Sequence, residues 1–230
     1  MSAILAIDTA TNACSAALWA DGCLLASQWE PMVRGHAERL VPMIGEIAEA
    51  ADRSVKDIDL VAVTVGPGAF TGMRVGLAAA RGFALSAGVP CLGLTTLEVI
   101  AEGVGDTPGP VMVAIESKRA DVYVQNFNAD GDALDAPAAL APETLAEAAR
   151  VRGAGGVLTL AGDAAPRVGE VLSAEGHQVR QSEIAHPDAA VLAAMAARRW
   201  HPGQTVARPV PLYLRPPDAV VPKDGGRLRP

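Results

Sequence analysis

An internal duplication is the feature of this sequence that most constrains its fold. Residues 4–8 (ILAID) and 112–116 (MVAIE) are both short apolar segments that end in an acid. The same offset places residues 14–19 over 122–127, and each of these second segments is followed by an Asp-Gly pair, which is typical of a tight turn between antiparallel strands. The two halves therefore predict two similar lobes.

Hydrophobic periodicity fills in the elements of each half. In the first half it predicts strands at residues 4–7, 14–19, 23–29, 60–65 and 91–94, and helices at 36–51 and 72–86. In the second half it predicts strands at 112–116, 122–127, 157–161 and 178–181, and helices at 142–149, 168–174 and 187–200. Thr95 and Glu98 have the spacing of a capping box. Pro42 fits the first helix if the regular helix starts near Arg39, and otherwise predicts a kink.

Two βββαβα units in tandem predict an α/β protein with the actin-like ATPase fold. We expect an N-terminal lobe at 1–105, a smaller and degenerate C-terminal lobe at 106–204, and a basic, proline-rich tail at 205–230 that is partly disordered.

Charge limits the classes of function. The net charge is −7, which argues against the chain binding a phosphate backbone by itself, because such binding depends on Lys and Arg. The one basic stretch is the tail, where a solvated segment is favoured over an RNA-binding arm. We therefore expect only indirect contact with nucleic acid.

The cysteines indicate a reducing compartment. Cys14, Cys23 and Cys91 are odd in number and show no C-x-x-C spacing, which favours neither a disulfide framework nor a zinc site. The hairpin register places Cys23 opposite Ala20 and Cys14 opposite Trp29, too far apart to bridge. With no membrane-length apolar run and no basic signal region, a cytoplasmic protein is expected.

The tip of the first strand is a candidate ligand site. Asp8 could hold a metal ion through water, and Thr9 and Thr11 could offer hydroxyls to a phosphate. Alternatively, Asp8 and Thr11 simply close an Asx-type turn between two strands.

A glycine-rich segment, 66–74 (GPGAFTGMR), joins a buried strand to a helix. Gly66, Gly68 and Thr71 could receive an anion at the helix N-terminus, forming a degenerate ATP or ADP cleft with the strand tip. The segment is neither a Walker loop nor a dinucleotide fingerprint. The favoured alternative is close packing, in which glycines such as Gly72 and Gly76 let the helix approach its neighbours.

Nothing local indicates a catalytic residue or a metal site. The four histidines show no H-x-x-x-H pair, and no G-x-S-x-G elbow occurs. A peptidase hypothesis therefore has no nucleophile, base or metal behind it.

Five segments carry a resemblance that spans nearly the whole chain. They are 4–18 (ILAIDTATNACSAAL), 36–44 (HAERLVPMI), 66–82 (GPGAFTGMRVGLAAARG), 90–101 (PCLGLTTLEVIA) and 211–215 (PLYLR). Together they resemble the bacterial TsaB family, also called YeaZ. The resemblance implies the actin-like fold and participation in making threonylcarbamoyladenosine at position 37 of transfer RNA, as a binding partner and not as the catalyst.

The catalytic paralogue in that system, TsaD, is similar but carries a His-His-Met-Glu-Gly-His stretch that holds a metal ion. Here residues 95–100 read TTLEVI, so Thr96 and Ile100 stand where the ligands would be. Isoleucine has no lone pair to offer a metal. The resemblance thus implies a non-catalytic scaffold subunit that supports TsaD, helps recruit the ATPase TsaE, and forms a homodimer when alone.

The resemblance also implies an interface on the first two helices. Its predicted residues are His36, Leu40, Met43, Ile47, Met73, Arg74, Gly76, Leu77 and Ala80. An Arg or Glu at Met73 or Leu77 is then expected to abolish association and leave the fold intact. The alternative is that both helices only cover their own sheet.

A second hypothesis for function is a stand-alone actin-like ATPase or small-molecule kinase. It rests on Asp8, Thr11 and the glycine-rich segment. It requires the isolated chain to bind ATP and magnesium, whereas the partner hypothesis does not.

Overall fold

The computed structural model describes residues 2–152 and 156–215. Its first half contains β1 (Ile4–Thr11), β2 (Ala13–Ala20), β3 (Cys23–Pro31), α1 (His36–Ala50), β4 (Leu60–Thr64), α2 (Phe70–Ala87), β5 (Cys91–Leu94) and α3 (Thr96–Val104). Its second half contains β6 (Val111–Glu116), β7 (Val122–Phe127), β8 (Ala138–Leu140), α4 (Pro142–Arg152), β9 (Leu158–Ala161), α5 (Ala165–Ala174), β10 (Val179–Gln181) and α6 (Ala189–Arg199). Within the described residues, no helix is long and apolar enough to cross a membrane.

The two halves form two sheets with one topology. The first sheet has the order β3-β2-β1-β4-β5, and the second has the order β8-β7-β6-β9-β10. In each, the first three strands form an antiparallel meander, and the remaining two add in parallel beside the first. The duplicated βββαβα unit predicted from the sequence is confirmed.

Helices cover both faces of each sheet, and one helix of each half crosses to the other half. Helices α1 and α2 pack on one face of the first sheet, and α4 and α5 on one face of the second. The other face of the first sheet is covered by α6, whose Leu192 and Ala196 pack with Ile4 and Leu60. The other face of the second sheet is covered by α3. Each half therefore depends on the other for part of its hydrophobic core.

Local signals set several boundaries. The Thr95 side chain accepts a hydrogen bond from the Glu98 backbone N–H at 3.1 Å, and Glu98 Oε2 accepts one from the Thr95 N–H at 3.0 Å, so the predicted capping box begins α3. Helix α1 begins at His36. Pro42 thus lies inside the helix and not in its first turn.

One predicted strand register is wrong. Cys23 pairs with Ala20 as expected, but Cys14 pairs with Glu30 and not with Trp29. The cause is an irregularity between Leu18 and Trp19, which shifts the register by one residue from there onward. All three cysteines are free thiols, with Cys14 buried and Cys23 exposed.

The segment after α6 is extended and crosses both lobes up to Arg215. The Leu212 N–H donates to the Val65 carbonyl at 2.7 Å, and buried Pro209 lies against Gly93. Further along, Arg215 forms an ion pair with Asp121 of the second lobe. Residues 216–230, on which most of the predicted disorder falls, lie outside the described residues.

Candidate functional site

Asp8 lies at the end of β1 and is completely buried. Its Oδ1 accepts hydrogen bonds from Thr64 Oγ1 at 2.5 Å and from the Ala10 N–H at 3.1 Å. Its Oδ2 is buried without a hydrogen-bond partner among the described residues. The bond to Ala10 is that of an Asx-type turn, which favours the turn interpretation of this position.

Burial controls the chemistry of Asp8. Desolvation raises its pKa to about 7, against the hydrogen bonds from Thr64 and Ala10, which lower it. A carboxyl group that is half-protonated at neutral pH and closed to solvent is poorly suited to hold a hydrated magnesium ion, because that ion keeps several water ligands.

The two threonines at the strand tip are also enclosed. Thr9 is buried, and its hydroxyl donates to the Gly72 carbonyl at 2.7 Å, so it fastens α2 to β1. Thr11 is buried, and its Oγ1 has no partner in the described part of the chain. Neither hydroxyl faces an open cleft.

The glycine-rich segment packs against the same strand. A Cβ on Gly68 would collide with the Ala10 carbonyl oxygen, and one on Gly72 with the Thr9 carbonyl oxygen. The Ala69 N–H donates to the Ala10 carbonyl at 2.7 Å. The close approach of β1 therefore requires glycine at both positions, and the geometry favours the packing interpretation of these glycines.

The positions compared with the TsaD metal ligands lie in the protein interior. Thr96 is fully buried, and Ile100 packs with Leu97, Val113 and Phe127 beneath the second sheet. In the described ranges, no group of three or more His, Cys, Asp or Glu side chains is placed to hold a metal ion.

Most of the predicted interface residues are buried within the chain itself. They are Leu40, Met43, Ile47, Met73, Gly76, Leu77 and Ala80. The helices turn these residues toward the first sheet, so their side chains are not exposed in the isolated chain, and their part in an interface stays a prediction. A charge at Met73 or Leu77 would be buried in the core and would destabilise the fold, so the expectation that this substitution leaves the fold intact does not hold. Of the others, Arg74 is exposed, and His36 is half-buried and donates from Nε2 to the Thr11 carbonyl at 3.2 Å.

A different set of side chains faces solvent on the same two helices. The exposed residues Val41 and Gly45 lie on α1, and Ala78, Gly82 and Leu85 lie on α2. We call this set the α1–α2 outer face. Leu85 is 84% exposed and Val41 is 56% exposed. The steps of three and four residues between them are a helical signal in the sequence, but only the packing shows that this stripe is the outer one.

A cavity of about 720 Å³ lies between the lobes. One wall is the start of α2 with Phe70 and Arg74, and another is the hairpin between β6 and β7 with Lys118. The third wall is the extended segment after α6, at residues 212–215, with Tyr213. Of the predicted cleft residues, Gly68 and Thr71 line this cavity, whereas Asp8, Thr9, Thr11 and Gly66 are not among its lining residues. The sequence did not predict residues 117–119 as cavity residues. The internal duplication could have indicated them, because it aligns Glu116 with Asp8 and so aligns residues 117–119 with the candidate ligand site after Asp8.

Comparisons with known proteins agree with this architecture. The family model for TsaD, tRNA N6-adenosine threonylcarbamoyltransferase, matches residues 30–195. The YeaZ structure from Pseudomonas aeruginosa superposes with a TM-score of 0.78 and 29% sequence identity, covering 93% of this chain and all of that one. Component A of (R)-2-hydroxyglutaryl-CoA dehydratase from Acidaminococcus fermentans superposes with a TM-score of 0.53 at 12% identity, which reflects the fold alone. The predicted actin-like α/β fold is confirmed.

A curated relative is similar along almost the whole chain. The tRNA threonylcarbamoyladenosine biosynthesis protein TsaB of Escherichia coli (strain K12) is 34% identical over 220 residues, which cover 92% of this chain and 94% of the relative. Together with the family-model match and the shared fold, this similarity shows that the chain belongs to the TsaB (YeaZ) family.

Proposed function

We propose that this chain is a non-catalytic subunit in the synthesis of threonylcarbamoyladenosine on transfer RNA, and that it binds and supports a TsaD-type catalytic paralogue. The observation that carries the proposal is the interior of α3. The TsaD family model matches the chain, yet Thr96 and Ile100 stand at the two positions that we compare with the TsaD metal ligands. Ile100 lies in an apolar core. A fold related to TsaD that lacks a metal-binding pair at these positions would contribute a surface and not a reaction.

The α1–α2 outer face is the surface that we assign to the partner. Gly45, Ala78 and Gly82 are small, so a partner helix could approach the two helices closely. Val41 and Leu85 are large apolar side chains that remain exposed in the isolated chain. Full burial of each such side chain is worth about 1.5–3 kcal/mol, which makes the pair suitable as interface anchors.

The remaining partners follow from the same proposal. A second copy of this chain could cover the α1–α2 outer face when TsaD is absent, and the resulting homodimer would compete with the TsaD complex. A TsaE-type ATPase would join the complex, and contact with transfer RNA would be mainly through the partners, in keeping with the net charge of −7.

The stand-alone ATPase hypothesis is disfavoured by the strand tip. It needs Asp8 to face a hydrated metal ion, and Asp8 is completely buried with a raised pKa.

Substitution on the outer face tests the docking surface. We expect Leu85→Glu to weaken association with TsaD by at least tenfold, because a carboxylate would be desolvated at the interface. Association is measured by calorimetry and by mass in size-exclusion chromatography. Val157→Glu, at an exposed valine of the second lobe, is the matched control and should bind as the wild type does. Unchanged binding by Leu85→Glu, with both variants folded, would refute this docking surface.

Reconstitution tests the function itself. TsaD is supplied with pre-formed threonylcarbamoyl adenylate and transfer RNA, with and without this chain. We expect modification to depend on the chain and to fall with Leu85→Glu. Full transfer by TsaD alone would defeat the proposal of a supporting subunit.

A further inference from the structure

A second, smaller cavity lies on the α6 side of the first sheet. One wall is Trp29 of the edge strand β3, another is α3 with Val99, and the third is the segment of residues 183–188 that joins β10 to α6. Its volume is about 220 Å³. Pockets for drug-sized ligands are larger, at roughly 300–1,000 Å³, so this cavity suits a single side chain better than a whole cofactor.

The position of Trp29 separates this cavity from the α1–α2 outer face. Successive side chains of a strand point to opposite faces of the sheet. Gln28 and Glu30 accept hydrogen bonds from Arg39 of α1, so Trp29 between them points to the face that α6 covers. Its Nε1 donates to the Pro187 carbonyl at 3.2 Å, yet Trp29 is 41% exposed. Much of the indole is therefore accessible to a ligand.

Negative charge at this cavity has no counter-charge. Its lining includes the acids Glu183 and Asp188, and no described Lys or Arg. Glu183 is exposed and forms no hydrogen bond or ion pair with any described residue. The Asp188 Oδ1 accepts from the Ala190 N–H at 2.8 Å and caps α6, which leaves Oδ2 without a hydrogen bond to the described part of the chain. Two such carboxylates beside an indole attract a cation.

His186 lines the same cavity and adds an acceptor. Its ring centroid lies 6.3 Å from that of Trp29. Desolvation lowers the pKa of His186 below its ordinary 6.5, against the charge of Asp163, which raises it. The imidazole is therefore neutral at pH 7 and does not repel a cation. Its Nδ1 is buried without a hydrogen-bond partner among the described residues, so a donor supplied by a ligand would remove a cost to the fold.

We propose that this cavity binds an arginine side chain presented by a protein partner. A guanidinium is planar, stacks on an indole and carries five N–H donors for carboxylates, whereas an ammonium group has no flat face to stack. The apolar side chains of Val99 and Val191 are placed to contact the aliphatic stem. The site goes beyond the proposed supporting role and does not depend on it, because the cavity and the α1–α2 outer face lie on opposite sides of the first sheet.

A blocked peptide, glycyl-arginyl-glycine, is the probe for the isolated, full-length chain. Its control is the same peptide with citrulline, which has nearly the same shape and no charge. The readout is the indole N–H resonance of Trp29 in an NMR spectrum, assigned with Trp29→Phe. We expect saturable shifts of this resonance with the arginine peptide, and at least tenfold weaker binding of the citrulline peptide, because the carboxylates attract only the charged form.

Substitution of the two acids tests the walls of the site. Glu183→Gln and Asp188→Asn should each weaken binding of the arginine peptide at least threefold. Neither should lower thermal stability, because Glu183 is exposed and asparagine caps helices as well as aspartate does. Glu49→Gln, at an exposed acid on α1, is the matched charge control and should bind as the wild type does.

Three outcomes would overturn the proposal. The first is equal binding of the citrulline peptide, and the second is wild-type affinity in both Glu183→Gln and Asp188→Asn. The third is absence of any shift at millimolar peptide. Methylguanidinium distinguishes the source of the cation: weaker binding than the peptide supports a protein partner, and equal binding would overturn it in favour of a free organic cation. All of these results leave the docking and reconstitution tests unaffected.

Discussion

At the scale of single residues, burial decides what Asp8 can do. An acid at the end of an apolar strand has two meanings in a sequence, a metal-binding carboxylate or a turn-forming side chain. The structure buries it completely, with one oxygen in an Asx-type turn and the other without a partner among the described residues. Ionisation of such a buried carboxyl group destabilises the folded state, so Asp8 lowers the stability of the fold at neutral pH and is poorly placed to bind a ligand.

The first prediction concerns the pH dependence of this cost. The pKa of Asp8 is raised from 3.8 to about 7, so the folded state retains a proton that the unfolded state has lost. The stability that Asp8 contributes is present below pH 4 and is lost as the pH rises to 7, by about 4 kcal/mol. Asp8→Asn removes this dependence. The measurement is urea unfolding of both proteins at pH 4.5 and pH 8. The free energy of unfolding of Asp8→Asn minus that of the wild type should increase by a few kcal/mol from pH 4.5 to pH 8. Parallel curves at the two pH values would contradict the assignment.

At the scale of elements, the two faces of α2 differ in the space that they leave for a side chain. Its inner side lies so close to β1 that Gly72 has no room for a Cβ, whereas the exposed Gly82 meets nothing within 4 Å. In the sequence both are glycines in the same helical pattern. The difference follows from the neighbour that each one meets, which local periodicity does not contain.

The second prediction uses these two glycines as a matched pair. Gly72→Ala should destabilise the fold by about 2 kcal/mol or more, because its Cβ would collide with the Thr9 backbone and overpack the strand–helix contact. Gly82→Ala should stabilise the chain by about 0.5–1 kcal/mol, because alanine loses less backbone entropy in a helix. Thermal and urea unfolding measure both. Equal effects of the two substitutions would show that α2 does not pack on β1 as described.

At the scale of the whole molecule, the two lobes share their cores. Helix α6 covers the face of the first sheet that includes Ile4 and Leu60, and α3 covers the corresponding face of the second sheet. Two ion pairs join α6 to α3, one from Arg199 to Glu98 at 2.9 Å and one from Arg198 to Glu102 at 2.5 Å. The lobe boundaries that we propose from the sequence, 1–105 and 106–204, therefore divide two units that each contain a helix packed in the other.

The third prediction follows from this exchange. A fragment of residues 1–105 should fail to fold on its own, because one face of its sheet loses α6 and exposes buried apolar side chains. We expect it to bind a hydrophobic dye, to lack near-UV circular dichroism and to aggregate, whereas the full chain is cooperative and does none of these. A monomeric fragment with a sharp unfolding transition would show that the N-terminal lobe is independent.

The sequence by itself determined the duplicated βββαβα plan and most helix and strand positions, because alternation, helical spacing, Asp-Gly turns and the capping box at Thr95 act over a few neighbouring residues. It also identified the family segments. Only the tertiary structure decided which side of α1 and α2 faces outward, where α3 and α6 pack, and that Asp8 is sealed while Lys118 and Phe70 line a cavity. These outcomes depend on contacts between residues far apart in the chain, and no local pattern encodes which distant surface a side chain will meet.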